Sequence, residues 1–284
     1  MGKYLATFRP LNLLFIALAQ VVSAYFLDFS ATAESLMESG IHWLILGTAS
    51  SAAFGYWLND HLDVKRDEIN GIVRFTANSP SRLNYIHFLI FISISLYCGR
   101  MLGAWFFTLF VLTLFILFLY NKWLKDFMLI GNLVVSVLCF VSLYAVYKLI
   151  PEIDFLLMFY FSSLAGLVTL AREMVKDIED IVGDRASGAR TLPIELGQKG
   201  ANIFIYIVLF FTLSFIIVSL FTQRDYLATP LHYVYYAYVV VFILIPLYWA
   251  AVNVRYAKEN SEFALLSRLL KYVIFVGILS ILFF

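Results

Sequence analysis

Residues 155–171 read FLLMFYFSSLAGLVTLA, and the charged segment REMVKDIEDIVGD follows them directly at residues 172–184. The apolar part is 17 residues long, which is close to the length of a helix that crosses the hydrocarbon core of a bilayer. It shows no alternation of polar and apolar residues, so it favours a helix over a strand of a membrane barrel. The stretch therefore predicts a membrane helix that ends in an acidic segment at one membrane surface.

The composition of the whole chain indicates the same class of protein. Of the 284 residues, 62% are hydrophobic and 14% are charged, whereas soluble domains average about 45–50% apolar and about 25% charged residues. This composition excludes a cytosolic enzyme, a secreted disulfide scaffold and a disordered chain. A net charge of +1 leaves no basic field for binding nucleic acid. Cys98 and Cys139 lie in apolar runs without the spacing of metal ligands, which argues against a disulfide or a zinc site.

Apolar runs of similar length recur along the chain and predict an all-α integral membrane protein with about nine transmembrane helices. The predicted spans are residues 11–29, 41–58, 85–99, 101–119, 128–150, 155–171, 201–221, 232–252 and 269–284. The third and fourth spans run together around Gly99 and Gly103. No connection suggests a separate soluble domain, so residues 1–284 are expected to form a single membrane domain.

The positions of the Lys and Arg residues predict the orientation in the membrane. With the amino terminus in the cytoplasm and successive connections on alternate sides, only Arg100, Lys148 and Arg224 of the 20 basic residues lie outside. Cytoplasmic connections carry an excess of Lys and Arg, so this assignment is the expected one. The amino terminus and the two longest polar connections, residues 59–84 and 172–200, are thus predicted to be cytoplasmic. The carboxyl terminus is predicted to lie outside, and in a prokaryote the membrane is the plasma membrane.

Each long cytoplasmic connection contains an acidic motif. The first motif is NDHLDVKRD at residues 59–67, and the second is DIEDIVGD at residues 177–184. At helical spacing, three residues of each motif share a face. They are Asn59, Asp63 and Asp67, on a helix that continues the second span, and Asp177, Asp180 and Asp184 in the second motif. Like charges at this spacing destabilise an isolated helix. A divalent cation bound by the carboxylates would offset their repulsion. Oxygen ligands without Cys or His neighbours suit Mg²⁺ or Mn²⁺.

The two motifs are also in register. Asp63 and Asp180 are 117 positions apart, as are Asp67 and Asp184, and the motifs follow the second and the sixth predicted spans. This spacing predicts two pseudo-repeated four-helix halves, each with one acidic motif, and one extra helix at the carboxyl end. A single run of charged residues at a helix end is as often a solvated face as a functional site. Two such clusters with the same spacing, on the same side of the membrane and in register, favour a functional site.

At these residues the chain resembles the UbiA family of intramembrane prenyltransferases. The family's two signatures, N-D-x-x-D-x-x-x-D and D-x-x-x-D, are matched by Asn59, Asp60, Asp63 and Asp67, and by Asp180 and Asp184. Further matches are Arg9-Pro10-x-Asn12, Tyr120 with Lys125, Gly131-Asn132, and Arg190-Thr191-Leu192-Pro193. The motifs cover the chain from about residue 4 to residue 200, and the number of spans agrees beyond that.

Within this family, residues 172–184 look most like the branch that alkylates geranylgeranylglyceryl phosphate. The product of that branch is digeranylgeranylglyceryl phosphate, a precursor of ether lipids. Homogentisate and chlorophyll-type branches share parts of the segment. One difference concerns the loop after the first motif, where family members often read Asn-Arg-Pro and this chain has Asn78-Ser79-Pro80. The resemblance leaves Arg74 or Arg82 to replace the Arg that is missing at Ser79.

The resemblance implies Mg²⁺-dependent transfer of a prenyl group, with geranylgeranyl as the first expectation, from its diphosphate to a lipophilic acceptor in the membrane. It implies that the catalytic residues are Asp60, Asp63, Asp67, Asp180 and Asp184, and that these, with Asn59 and Asp177, hold Mg²⁺ or Mn²⁺. The residues expected to contact the diphosphate are Arg66, Arg74, Lys125 and Lys176. Those expected in the acceptor or prenyl pocket are Arg9, Asn12, Phe54, Tyr120, Lys122, Asn132, Phe159, Tyr160 and Arg172.

Transfer to a hydroxyl group also requires a base, and Glu173 and Asp177 are the candidates near the second motif. The main alternative acceptor is aromatic, such as 4-hydroxybenzoate, homogentisate or another precursor of quinones or chlorophyll. The alternative outside the enzymes is a divalent-cation transporter with an acidic vestibule. A transporter more often places its ionisable groups at the middle of the membrane, whereas both acidic motifs here lie at the ends of spans.

Overall fold

The computed structural model describes residues 2–28, 30–72, 74–78, 81–223, 226 and 230–284. This part of the chain contains helices and no strand, and an isolated parallel bridge joins Phe127 to Arg190. The predicted all-α class is confirmed. Ser79, Pro80 and the side chain of Arg82, at which a phosphate contact is lost or expected, lie outside the described residues.

The α-helices in the described residues are α1 (Gly2–Thr7), α2 (Pro10–Phe26), α3 (Ala33–Glu38), α4 (Ile41–Leu62), α5 (Val64–Ile69), α6 (Ser81–Leu102), α7 (Ala104–Lys122), α8 (Ile130–Leu149), α9 (Phe155–Glu179), α10 (Ile181–Ser187), α11 (Leu192–Gln223), α12 (Leu231–Val239), α13 (Ile245–Val254) and α14 (Asn260–Leu279). A π-helical segment, Val240–Leu244, joins α12 to α13. Short 3₁₀ turns lie at Phe75–Asn78, Leu124–Asp126 and Ser280–Phe283.

The long helices account for the predicted spans. Among the described residues, seven helical segments are long and apolar enough to cross a membrane, and α2, with 17 residues, is a shorter apolar helix. Helix α4 has 22 residues but carries polar side chains along its length, among them Ser51 and Asn59. Together these segments correspond to the nine predicted spans, and the chain is an integral multi-pass membrane protein.

The ends of three spans have local causes. Helices α6 and α7 are separated only by Gly103, whose φ of 106° suits glycine and few other residues. Within α11, Gly197 has φ 69° and interrupts the helix, so the straight part begins close to the predicted residue 201. Helix α14 begins at Asn260, earlier than the predicted residue 269, because Glu259 and Glu262 form a capping box.

The two halves are built around α4 and α9. Helix α4 packs against α2, α6 and α7, and α9 packs against α8, α11 and α14. Helix α2 also contacts α8 and α14, so it joins the two halves. Since α4 and α9 carry the acidic motifs at their carboxyl ends, the pseudo-repeat places the motifs on the two central helices.

Both central helices end inside their acidic motif. Helix α4 ends at Leu62 and α9 ends at Glu179. The next residues, Asp63 (φ −94°, ψ 12°) and Asp180 (φ −95°, ψ 4°), break the two helices, and the short helices α5 and α10 follow them. The prediction of one continuous helix through Asp67 was therefore wrong, because carboxylates at a helix carboxyl end oppose the helix dipole. The Asp67 amide N–H still donates to the Asp63 carbonyl at 2.8 Å. The two break residues share a backbone conformation, which extends the pseudo-repeat to the backbone.

Candidate active site

The short helices α5 and α10 pack against each other and bring the two acidic motifs together. The Gly183 amide N–H donates to Asn70 Oδ1 at 2.9 Å. A Cβ atom on Gly183 would lie 2.8 Å from the carbonyl oxygen of Arg66, so the two backbones approach each other where only glycine fits. Gly183 thus permits the short distance between the motifs.

A cavity of about 960 Å³ begins at the motifs and extends into the helical bundle. Its walls come from α2, α4, α7, α8, α9 and α14. The residues predicted from the sequence that line it are Arg9, Asn12, Asn59, Asp63, Arg66, Asp67, Arg74, Tyr120, Lys125, Arg172, Lys176, Asp177, Asp180 and Asp184. The structure therefore brings both motifs and most of the predicted basic residues to one chamber.

Two carboxylates of the first motif pair with basic side chains from outside the motif. Lys125 Nζ lies 2.5 Å from Asp63 Oδ2, and Arg74 Nε lies 2.5 Å from Asp67 Oδ2. Burial lowers the pKa of Lys125, and the charge of Asp63 acts against this lowering. The residues predicted to contact a diphosphate are thus held beside the carboxylates predicted to hold a metal ion.

Arg66 spans the gap between the two motifs. One nitrogen lies 2.6 Å from Asp126 Oδ1, and the other lies 3.6 Å from Asp184 Oδ1 and 4.0 Å from Asp63 Oδ1. Burial raises the pKa of Asp184 to about 6, although Arg66 acts in the opposite direction. Burial also raises the pKa of Asp180. Because added positive charge favours the ionised carboxylates, this part of the cavity is suited to a cation.

Asp60 lies behind the cavity wall and does not line the cavity. Its side chain is fully buried, and Oδ1 lies 3.4 Å from Arg9 and 3.7 Å from Arg74. Its Oδ2 atom has no hydrogen-bond partner within the described part of the chain. In this conformation Asp60 contacts the contents of the cavity only through these two arginines, unlike the other aspartates of the signatures.

The donors at the motifs fit a hard divalent cation, although they are not gathered around one point. Among the described residues, no three Asp, Glu, His or Cys side chains converge closely enough to hold a metal ion. The carboxylate oxygens are instead occupied by Lys125, Arg66 and Arg74. All the donors are carboxylate or amide oxygens, which Mg²⁺ prefers, and Asp60 Oδ2, buried behind the cavity wall, has no hydrogen-bond partner among the described residues. Binding a cation would require the basic side chains to change partners.

A second group of basic residues lines the cavity apart from these ion pairs. The basic cluster consists of Arg9, Arg172, Lys176 and Lys271, and Lys271 interacts electrostatically with the other three. Arg172 and Lys176 lie 2.7 and 3.7 Å from the carboxylate of Glu173. Arg172 Nε has no hydrogen-bond partner, and Lys271 has no ion pair, within the described residues. This excess of positive charge favours a bound anion.

Three aromatic residues predicted for the pocket lie elsewhere. Phe54 packs in a separate apolar cluster with Leu58 and Leu114. Tyr160 is buried in the core, where its ring stacks on Phe215. Phe159 is 43% exposed on the outside of the bundle. The structure does not place them at the cavity, because the apolar stripes on α4 and α9 also face other helices.

Two polar residues predicted for the pocket also lie off the cavity wall. Lys122 is exposed, and its ammonium group lies 4.4 Å from the centre of the Trp123 ring. Asn132 is buried, and its Nδ2 atom donates to Asp177 Oδ2 at 2.9 Å. Asn132 therefore orients a motif residue from behind, whereas Lys122 faces away from the site.

Several residues in or beside the cavity were not predicted from the sequence. Asn70 joins the motifs through Gly183, Asp126 pairs with Arg66, and Tyr56 accepts a hydrogen bond from Asn12. Lys271 enters from α14. A lysine inside the ninth apolar span was the one available signal, because charged residues within spans are costly and face the bundle interior. The roles of the others depend on contacts between distant segments.

Comparison with known proteins shows the family to which the chain belongs. The UbiA prenyltransferase family matches residues 13–275. The chain is 33% identical to digeranylgeranylglyceryl phosphate synthase of Thermococcus gammatolerans over 244 residues, covering 84% of this chain and 83% of the relative. It is 28% identical to the protein of the same name from Methanobrevibacter smithii, with both chains covered completely.

Solved structures show that the fold is shared. A UbiA homologue from Archaeoglobus fulgidus, bound to GPP and Mg²⁺, has a TM-score of 0.68 at 15% identity, covering 98% of this chain and 99% of the homologue. A structure of digeranylgeranylglyceryl phosphate synthase has a TM-score of 0.66 at 19% identity, covering 99% and 98%. The chain therefore belongs to the UbiA prenyltransferase family, and it is a prenyltransferase of the membrane.

Proposed function

We propose that this chain transfers the geranylgeranyl group of geranylgeranyl diphosphate to geranylgeranylglyceryl phosphate in a Mg²⁺-dependent reaction. The observation that carries the proposal is the presence of two differently charged regions in one cavity. The paired acidic motifs suit a metal-bound diphosphate, and the basic cluster suits a second, separate phosphate. The relatives named digeranylgeranylglyceryl phosphate synthase support this choice of acceptor.

The roles of the motif residues follow from their positions. Asp63, Asp67, Asp180 and Asp184 would hold Mg²⁺, with Asn59 and Asp177 beside them at the cavity wall and Asp60 supporting from behind it. When bound, Mg²⁺ supplies charge neutralisation for the leaving diphosphate. Arg66, Arg74 and Lys125 would bind the remaining diphosphate oxygens, for which guanidinium and ammonium donors are suited, whereas Lys176 pairs with Glu173 in the basic cluster.

The reaction breaks one carbon–oxygen bond and forms another. The bond between the allylic carbon and the diphosphate breaks, and its electron pair leaves with the diphosphate. The acceptor hydroxyl oxygen then bonds to that carbon and loses its proton to a carboxylate. Glu173 and Asp177 both line the cavity on α9. Asp177 is the first residue of the second acidic motif, and Glu173 pairs with Arg172 and Lys176 of the basic cluster. Deep, water-poor surroundings protect the cationic allylic group.

The basic cluster also favours the glyceryl phosphate over an aromatic acid. A phosphate ester carries up to two negative charges and three acceptor oxygens, whereas a carboxylate carries one charge and two oxygens. The four basic side chains are offset by Glu173 and by Asp60, which pairs with Arg9, and the positive charge that remains suits a phosphate ester better than a carboxylate. An aromatic acceptor remains the second candidate because it would use the same donor site.

The distribution of Lys and Arg supports a cytoplasmic position for both acidic motifs. Only three basic residues lie in the connections assigned to the opposite side. We therefore place the amino terminus and the cavity mouth in the cytoplasm and the carboxyl terminus outside. Water-soluble Mg²⁺ and diphosphate would then enter from the cytoplasm, and the lipid acceptor from the membrane.

A direct test compares two acceptors. Purified protein in detergent receives labelled geranylgeranyl diphosphate and Mg²⁺ with either geranylgeranylglyceryl phosphate or 4-hydroxybenzoate. We expect label only in the glyceryl phosphate product and none when EDTA replaces Mg²⁺. Label in the aromatic product alone would contradict the proposed acceptor but keep the donor chemistry.

Replacing Lys271 by Met tests the basic cluster. Loss of a charged contact to phosphate costs about 1.5–3 kcal/mol, so the acceptor KM should rise about 10- to 100-fold, with the diphosphate KM unchanged. Arg172→Ala should act in the same direction. Lys199→Met, which removes an exposed lysine of α11, is the control. Acceptor titrations that coincide for wild type and Lys271→Met would remove the cluster from the acceptor site.

A further inference from the structure

One arm of the cavity runs from the acidic motifs towards the opposite membrane surface between α4, α7 and α8. On α4 the lining residues follow one another at intervals of one to four positions from Asn59 to Leu44, so they form an unbroken stripe. These 15 positions correspond to about 22 Å along the helix axis. The arm is thus a long, narrow extension of the site in which the diphosphate is proposed to bind.

The inside of this arm is suited to an apolar chain. Its hydroxyl groups are already used by their own helices: Thr48 donates to the Leu44 carbonyl, Ser51 to the Gly47 carbonyl and Ser142 to the Cys139 carbonyl. Because these donors are satisfied, the deep part of the arm presents mainly methyl groups and aliphatic carbons. Asn121 lines the cavity nearer the motifs, and its buried Oδ1 atom has no hydrogen-bond partner among the described residues.

The far end of the arm is closed by buried side chains. Leu44, Phe110 and Ala145 line the end of the cavity and are 0%, 3% and 2% exposed. The Phe110 ring is fixed between two glycines. A Cβ atom on Gly47 would lie 2.6 Å from the ring, and one on Gly99 would lie 2.9 Å from it. A ring held this closely cannot move aside without displacing α4 or α6.

We infer that this closed arm binds the prenyl chain of the donor and that Phe110 sets the upper limit of the length of that chain. The inference rests on the proposed function. From carbon–carbon bonds of about 1.5 Å, an extended geranylgeranyl chain is about 19 Å long and a chain with one more isoprene unit is about 24 Å long. The Phe110 ring lies against Gly47, about 18 Å from Asn59 along the helix axis, and the arm ends at Leu44, about 22 Å from Asn59. The arm is therefore close in length to the first chain and too short for the second. Phe110 and its two flanking glycines therefore make the site selective for donors of up to 20 carbons.

The test compares donors of 15, 20 and 25 carbons with the same acceptor, by kcat/KM. Wild type should use the 25-carbon donor at least about tenfold less well than the 20-carbon donor, since a few methylene groups without room change binding by this amount or more. Phe110→Ala should raise the ratio of 25- to 20-carbon transfer about tenfold. Phe106→Ala is the matched control, because Phe106 is buried on the same helix but does not line the cavity, and it should leave the ratio unchanged.

Ala145→Leu tests the same limit from the opposite helix and does not depend on the folding of Phe110→Ala. It should shorten the arm and lower 20-carbon relative to 15-carbon transfer about tenfold. Equal use of 20- and 25-carbon donors by wild type, or donor ratios that neither substitution changes, would overturn the inference while leaving the proposed function intact. No transfer from any donor would overturn the proposed function, and the inference with it.

Discussion

Asp63→Asn is expected to lower kcat for prenyl transfer at least about 10³-fold. Coordination of a metal ion contributes several kcal/mol of charge stabilisation in the transition state. Each 1.36 kcal/mol of this stabilisation that is lost with a weakened ligand lowers the rate about tenfold. Asp63 lines the cavity, caps α4 and pairs with Lys125, so an amide there loses both a metal ligand and the partner of a diphosphate contact. Initial rates with labelled donor over a range of Mg²⁺ concentrations measure the loss.

The matched control for this prediction is Glu68→Gln. Glu68 lies on α5, the same short helix as Asp67, but it is exposed and does not line the cavity. Removing its charge should change kcat less than about twofold, because surface charges contribute little. Similar rate losses in both variants would contradict a specific role for Asp63.

Gly183→Ala is expected to reduce kcat about 100-fold. The new Cβ atom would lie 2.5 Å from Asn70 Nδ2 and 2.8 Å from the Arg66 carbonyl oxygen. Asn70 can rotate away, but the Arg66 backbone cannot, so α10 must move away from α5. A displacement of about 1 Å between groups that act together can cost about 100-fold in rate. The measurement is the rate of prenyl transfer at saturating concentrations of Mg²⁺ and of both substrates, which gives kcat.

Gly277→Ala provides the control, since a Cβ atom there meets no atom within 4 Å. It replaces glycine by alanine in the interior of α14 and should leave activity and the unfolding temperature in detergent unchanged or slightly raised. Full activity of Gly183→Ala in folded protein would mean that the distance between α5 and α10 does not matter for the reaction.

The sequence was sufficient to predict the spans and the acidic motifs because both depend on local composition. Runs of apolar residues and the register between Asp63 and Asp180 can be recognised in the sequence without knowledge of three-dimensional contacts. The break of each central helix inside its motif was not predicted, because the spacing of Asn59, Asp63 and Asp67 suits a continuous helix equally well. The deciding factors are the packing of α5 on α10 and the repulsion among carboxylates at the helix ends.

The residues of the pocket were harder to predict than the motifs. Phe54, Phe159 and Tyr160 were selected for their aromatic side chains, but an aromatic residue in a membrane helix faces whichever neighbour packs against it. Phe110 and Lys271 gave weaker signals in the sequence, and their positions depend on close approach at Gly47 and on the packing of α14 beside α2 and α9. Only the three-dimensional arrangement distinguishes a pocket residue from a core residue here.

The measurement that tests the central claim most directly is a product balance. Purified wild-type protein, reconstituted in liposomes, receives geranylgeranyl diphosphate, geranylgeranylglyceryl phosphate and Mg²⁺, and pyrophosphate and lipid product are quantified together. The account predicts equal amounts of pyrophosphate and digeranylgeranylglyceryl phosphate, and neither product without Mg²⁺. Pyrophosphate released without alkylation of the glyceryl phosphate, or turnover that is the same with and without Mg²⁺, would contradict it.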